Sequence, residues 1–305
     1  MRWSIRACGR RVVVEDRTLT QFHEPVSGRL RTRAHAVRVV VVGCTLCAIV
    51  VAGTLCVRQA IATDFSVTML PPGFAHPFGT DQMGRDMLAR TIAGLSTSLG
   101  VGAIATCSTA LLALAMAALS VFGGRVGNAF VLWLIDVVMG IPHIVLLILV
   151  SYALGRGFWG VVAGLSLTHW PQLARVLRAE LLQLMREPYM SVSAALGVSR
   201  ASLARRHIVP ALLPQLLVGA LLTFPHAILH EASITFLGFG LSPEQPALGV
   251  ILAESMGYLT AGAWWLAVLP GAALIACVCL LDWAASALRL CADVRARRGM
   301  QVNRL

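Results

Sequence analysis

An all-α membrane protein with six transmembrane helices is the fold class that three observations predict. The chain of 305 residues is 57% hydrophobic and 13% charged, with a mean hydropathy of +0.77, well outside the soluble globular range. Its apolar residues gather into six runs, at about 39–57, 99–122, 129–154, 157–174, 211–230 and 263–281, each near the ~20 residues that cross a bilayer as a helix. Arginine is also shared unequally between the connections. Of 25 Arg, 21 fall in the N-terminal tail, at Arg125, in 175–210 and in the C-terminal segment, leaving Arg58, Arg85, Arg90 and Arg156 on the other side. By the positive-inside rule both termini are expected in the cytoplasm.

The same composition excludes several functions. A net charge of +11 invites a nucleic-acid partner, but the basic residues are scattered between apolar runs rather than gathered on one face. Every basic residue is Arg, and the chain holds no Lys. A GxxxxGK[ST] loop needs its Lys at the nucleotide phosphates, so an ordinary P-loop is ruled out. Six of the eight Cys lie inside apolar runs, where Cys behaves as a small hydrophobe, and no disulfide framework is implied.

Taken in order, residues 1–38 form a polar tail with nine Arg. The run from Val39 to Val57 is too long for a signal core and is expected to remain as the first span of a membrane domain covering 39–290. The outer connection contains HPFGTDQMGRDMLARTIAG at 76–94. There Thr80 and Asp81 are expected to cap a turn and Arg85 to pair with Asp86. From Asp86 an amphipathic helix, with Met87, Leu88, Ile92 and Leu95 apolar and Arg85 and Arg90 polar, leads into span two. Span three carries Asp136, with a capping or interhelical role, and the Pro142-His143 step; span four ends at His169-Trp170-Pro171. Residues 175–210 hold six Arg and cannot lie in hydrocarbon. Their grammar is helix, break, helix: Pro188 suits a first turn, Gly197 a C-cap and Ser199 an N-cap. Residues 291–305 form a second polar tail.

Three of these stretches carry a family resemblance. Gly197, Ile208 and Pro210, with Tyr189 before them and Ala195-Leu196 between, resemble the coupling loop of ABC importer permeases. Ser191-Val192-Ser193 stands where that loop usually has Glu-Ala-Ala. Gly79, Thr80, Asp81, Gly84, Arg85, Asp86 and Arg90 match the GTDxxGRDxxxR signature of the oligopeptide, dipeptide and nickel branch, and Glu231–Gly240 is similar to its EAxxSFLGLG run. The resemblance covers about 40–290 and implies an ABC importer type I permease fold. It further implies that Tyr189, Ser191, Ser193, Ala195, Gly197, Ile208 and Pro210 dock an ATPase, and that this chain binds no cofactor and catalyses nothing. The partners implied are a second homologous permease, two cytosolic ATP-binding subunits, an extracytoplasmic substrate-binding protein and the lipid of a bacterial inner (plasma) membrane.

Ionisable groups at membrane depth are costly and count as functional candidates. Span five offers His226 and His230, one turn apart, with Glu231 beside them; span four offers His169, and span three His143. Neutral imidazoles suit nickel-class ions, and His169-Trp170 and His226-x-x-x-His230 resemble nickel-type members of the branch. The expected substrate path is therefore His169, His226, His230 and Glu231, with His226 and His230 as transient metal ligands. Passage of nickel, another divalent metal or a chelate is expected, with a peptide permease and hydrogen-bonding histidines as the alternative. An intramembrane metalloprotease would need HExxH, and His230-Glu231-Ala232-Ser233-Ile234 lacks the second His. No ring of acidic residues or filter loop suggests a channel.

Overall fold

The computed structural model describes residues 27–188, 190 and 199–302. Among these residues there is no strand, only one isolated bridge between Thr80 and Asp86. The helices are α1 (Ser27–Ile61), α2 (Met87–Phe122), α3 (Gly124–Gly140), α4 (His143–Ala153), α5 (Phe158–Met185), α6 (Arg200–Leu203), α7 (Val209–Phe236), α8 (Leu248–Leu259) and α9 (Trp265–Val302). Helix therefore extends into the polar tails at both ends. The segments Val37–Ile61, Met87–Phe122, Val209–Phe236 and Trp265–Leu290 are each long and apolar enough to span a membrane. α5 is 28 residues long, and its charge-free part, 158–174, gives way to Arg175, Arg178 and Glu180.

The all-α membrane architecture is as expected, but among the described residues four helices, or five with the bent third run, are long and apolar enough to span, against six expected. The third run does not form a straight span: α3 and α4 meet at 102°. The cause is Pro142. It has no N–H to continue the ladder, and its ring pushes the preceding residue out of the helical region; Ile141 accordingly sits at φ −94°, ψ 138°. Pro210 acts more gently. Its ring would meet the carbonyl of Arg206, and the chain answers with a widened π turn over Ala204–Ile208 before α7 begins with Pro in its first turn.

α2 is the central pillar. It runs unbroken through 36 residues because Asp86 accepts from the Ala89 N–H at 2.8 Å, starting the helix twelve residues ahead of its apolar run. Its buried positions are mostly small, among them Ala89, Ala93, Gly94, Ser98, Gly102, Ala105, Thr109, Ala113 and Ala117. Small residues let neighbouring backbones approach closely, which is how helices associate where no hydrophobic effect separates them from lipid. α2 contributes to four clusters, the smallest joining its Ala89 and Ala93 to Ala60 of α1. One joins it to α3, α5 and the start of α7 through Ile135, Trp170, Leu177, Leu181, Ile208 and Leu212. A second reaches α7, α8 and α9, and a third α4, α5 and α7.

Candidate functional site

The elbow at Ile141–Pro142 opens onto a cavity of about 740 Å³, walled by Val138–His143, by Thr168, His169, Pro171 and Gln172 of α5, and by Leu222, Thr223, His226 and His230 of α7. Among the described residues, no Asp, Glu or Arg lines it. Three imidazoles converge on its wall. The ring centroid of His143 lies 4.5 Å from that of His169 and 4.6 Å from that of His230, and the latter two are 5.1 Å apart. One nitrogen of each lies within 4.8 Å of the others. His169 Nδ1 lies 2.9 Å from the Leu165 carbonyl, and its Nε2 lies 3.2 Å from His230 Nδ1.

Of the expected path residues, the structure thus gathers His169 and His230, adds His143 from α4, and sets His226 on the same wall but outside the close group. Glu231 does not belong to this cavity. It is fully buried among Ile228, Ala232 and Thr235, where Thr235 Oγ1 donates to its Oε1 at 3.0 Å. That hydroxyl also accepts from the Leu241 N–H at 3.2 Å, so Glu231 and Thr235 together tie the turn after α7. The Oε2 atom of Glu231 is buried beside the Ser98 hydroxyl of α2. Asp136 also lies off the cavity wall; it pairs across helices with Arg175 at 3.0 Å on an exposed face, an interhelical role rather than a cap.

The 64–90 connection is built around Asp81, which is 1% exposed. Its Oδ1 accepts from the N–H groups of Met83 and Arg85, each at 2.9 Å, and its Oδ2 from Arg85 Nε at 2.6 Å and an Arg90 amine nitrogen at 2.7 Å. Glu254 on α8 completes the group, accepting from Arg90 at 2.9 Å and Arg85 at 3.2 Å. Two cations and two anions balance. This corrects two expectations: Arg85 pairs with Asp81, leaving Asp86 to cap α2 and to meet His76 at 2.8 Å, and Arg90 is buried rather than solvent-facing. Its position on the helix face looks polar, but Asp81 and the distant Glu254 hold its guanidinium in the interior. Thr80 Oγ1 donates to Val67 O at 2.5 Å and accepts from the Leu70 N–H at 2.9 Å. Gly79 and Gly84, at φ +73° and +70°, adopt the left-handed region that favours glycine. A Cβ on Gly84 would collide with the Asp64 carbonyl, and one on Gly79 would lie 2.6 Å from Leu70 O. The signature forms a charge-balanced clamp that ties this connection to α8.

Tyr189, Ser191, Ser193, Ala195 and Gly197 lie outside the described residues. Beyond them, Ser199 Oγ accepts from the Ser202 N–H at 3.3 Å, the expected cap. Ile208 is a core anchor, while Pro210 stays exposed.

Residues 109–289 match the profile of the "binding-protein-dependent transport system inner membrane component" family. The chain belongs to that family. Similar proteins include a peptide permease, so named provisionally, of Brucella suis biovar 1, 34% identical over 74% of this chain and 75% of that one. A peptide transport system permease protein of the same organism, also provisionally named, is 31% identical over 87% and 89%. The dipeptide transport system permease protein of Bacillus subtilis is 30% identical over 70% and 66%. Two solved structures share the permease fold at 18% identity and a TM-score of 0.51: an amino acid ABC transporter with histidines (65% of this chain, 92% of that one) and the inward-facing MetNI methionine transporter (70% and 97%). The permease is accordingly a multi-pass membrane subunit of an ABC importer, working with ATPase and substrate-binding partners, and ATP hydrolysis lies in a separate subunit.

Proposed function

We propose that this permease forms one half of the membrane pathway of a peptide importer. A second, homologous permease would supply the other half, two ATPase subunits would dock on the 175–210 side, and an extracytoplasmic binding protein would deliver the cargo. The permeases of peptides and dipeptides at 30–34% identity carry the choice of cargo, and they favour it over the nickel reading suggested by the histidines. The cavity is compatible with it. At about 740 Å³ it falls within the ~300–1,000 Å³ of small-molecule sites. With no formally charged wall residue it neither selects nor repels a zwitterion, and selection is left to the binding protein.

In this reading both termini and the 175–210 segment face the cytoplasm. The supporting observation is the 21-to-4 division of Arg. Closure of the ATPases would move the 175–210 segment, and Ile208, packed in one cluster with Leu177 and Leu181, would pass that movement to α5 and α7.

The test is uptake by the complete transporter in proteoliposomes supplied with ATP and the binding protein, offering labelled di- to pentapeptides and radioactive nickel separately. ATP-dependent accumulation of peptide is expected. Nickel accumulation without peptide accumulation would reverse the assignment.

A further inference from the structure

We propose that His143, His169 and His230 form a binding site for a divalent transition-metal ion, taking one imidazole nitrogen from each of α4, α5 and α7. The site needs only this chain, and so stands or falls independently of the cargo. Four observations converge on it.

The first is spacing. The three candidate nitrogens lie within 4.8 Å of one another. Ligands at ~2.0–2.1 Å from a tetrahedral ion are about 3.4 Å apart, so closing the group takes rotamer shifts of about 1.4 Å at most. The second is an orphan. His143 Nε2 is buried and has no hydrogen-bond partner among the described residues, an expensive state for a polar atom unless something occupies the site.

The third is orientation. Thr168 Oγ1 donates to Gly164 O at 2.9 Å, so towards His169 Nδ1, 3.2 Å away, it can only accept. Leu165 O, 2.9 Å from the same nitrogen, is also an acceptor. Nδ1 therefore carries the proton and Nε2 presents its lone pair to the group, the arrangement that outer hydrogen bonds impose on metal-binding histidines. In the metal-free state His230 Nδ1–H donates to that lone pair across 3.2 Å. An entering ion replaces this hydrogen bond. The His230 proton moves to its Nε2, both imidazoles stay neutral, and no net proton is released.

The fourth is the donor set and its surroundings. Imidazoles without carboxylates favour zinc, nickel, copper or cobalt over magnesium and calcium. No Arg lines the cavity to repel a cation, and its volume leaves room for a water or a cargo atom as a further ligand. His226 lines the cavity yet stays outside the group of three, and serves as the internal control.

The proposal is tested on the complete transporter, purified through an affinity tag that contains no histidine and stripped with a chelator. Cobalt(II) chloride is titrated while visible absorption is followed, and zinc chloride by calorimetry. One ion per copy of this subunit is expected, with the intense cobalt bands of low coordination number. His143→Asn and His169→Asn should each weaken binding by about tenfold or more, and His226→Ala should leave it unchanged. Absence of saturable binding by the native transporter would overturn the site, and that measurement depends on no variant folding. Binding that survives both substitutions unchanged, or that is lost with His226→Ala, would overturn it equally.

Discussion

Replacing Asp81 by Ala should be among the most damaging single changes outside the cavity, and its cost follows from the contacts it makes. Its carboxylate is 1% exposed and bridges Arg85 and Arg90, the second of these only 3% exposed. Removing it leaves the Arg90 guanidinium with Glu254 alone, at 2.9 Å, and with one positive charge uncompensated. Breaking one partner out of a buried ion pair costs about 3–5 kcal/mol. The N–H groups of Met83 and Arg85 lose their shared acceptor as well, although water entering the gap offsets part of that loss. At roughly 2–4 °C per kcal/mol for a chain of this size, the thermal midpoint should fall by about 6–20 °C. Asp81→Asn keeps an oxygen for the two backbone donors and should lose less. The assay is thermal unfolding of the purified subunit complex, run as a double-mutant cycle with Arg90→Leu. A coupling energy of about 2 kcal/mol or more is expected, because the second change removes the stranded cation. A fall of less than about 2 °C for Asp81→Ala, with additive behaviour in the cycle, would refute the account of this connection as a charge-balanced clamp.

Three further outcomes are expected. Gly84→Ala imposes a left-handed residue with a side chain, about 1–2 kcal/mol before its collision with Asp64 is counted, whereas Gly100→Ala, with open space around it, should be neutral or slightly stabilising; thermal midpoints of the two variants make the comparison. Glu231→Gln preserves the Thr235 hydrogen bond and should shift stability by less than about 1 kcal/mol, while Glu231→Ala, which leaves a void, should cost about 2 kcal/mol or more; loss of uptake by a stable Glu231→Gln would instead assign the buried carboxyl a transport role. In a background without native Cys, a cysteine at Ser242 should react with an impermeant thiol reagent from outside and one at Ser199 should not, and reversed labelling would invert the topology.

The parts of this architecture that depend on local chemistry were legible in the sequence. Apolar runs mark out the helices, Ser199 announces a cap, and Thr80 and Asp81 of the signature announce a turn. What resisted reading depends on residues far apart in the chain. The helical pattern puts Arg90 on a polar face; it is buried because Asp81 and, 164 residues further on, Glu254 share its guanidinium. The Pro142-His143 step stands inside a single apolar run, and no periodicity gives the 102° turn made there. His143 was noted only as one ionisable residue of span three, since its meeting with His169 and His230 exists only once α4, α5 and α7 are packed. The pairing of His226 with His230 had the opposite fault: helical spacing put them on one face, and packing then selected only one for the cluster.

The elbow between α3 and α4 also has an electrical side. A helix that stops leaves its last four carbonyl oxygens without intrahelical donors, and in α3 these belong to residues at or beside the cavity wall, where Val138, Met139 and Gly140 are found. The C-terminal end of a helix carries about half a negative elementary charge and the N-terminal end about half a positive one, and α4 starts at His143 on the same wall. A chamber whose side chains are formally neutral is therefore not without a field: the elbow sets the negative end of α3 beside the positive end of α4, so this wall offers backbone acceptors and backbone donors side by side. Because that field comes from backbone dipoles held by Pro142, side-chain substitutions around the cavity should alter its shape while leaving its polarity largely in place.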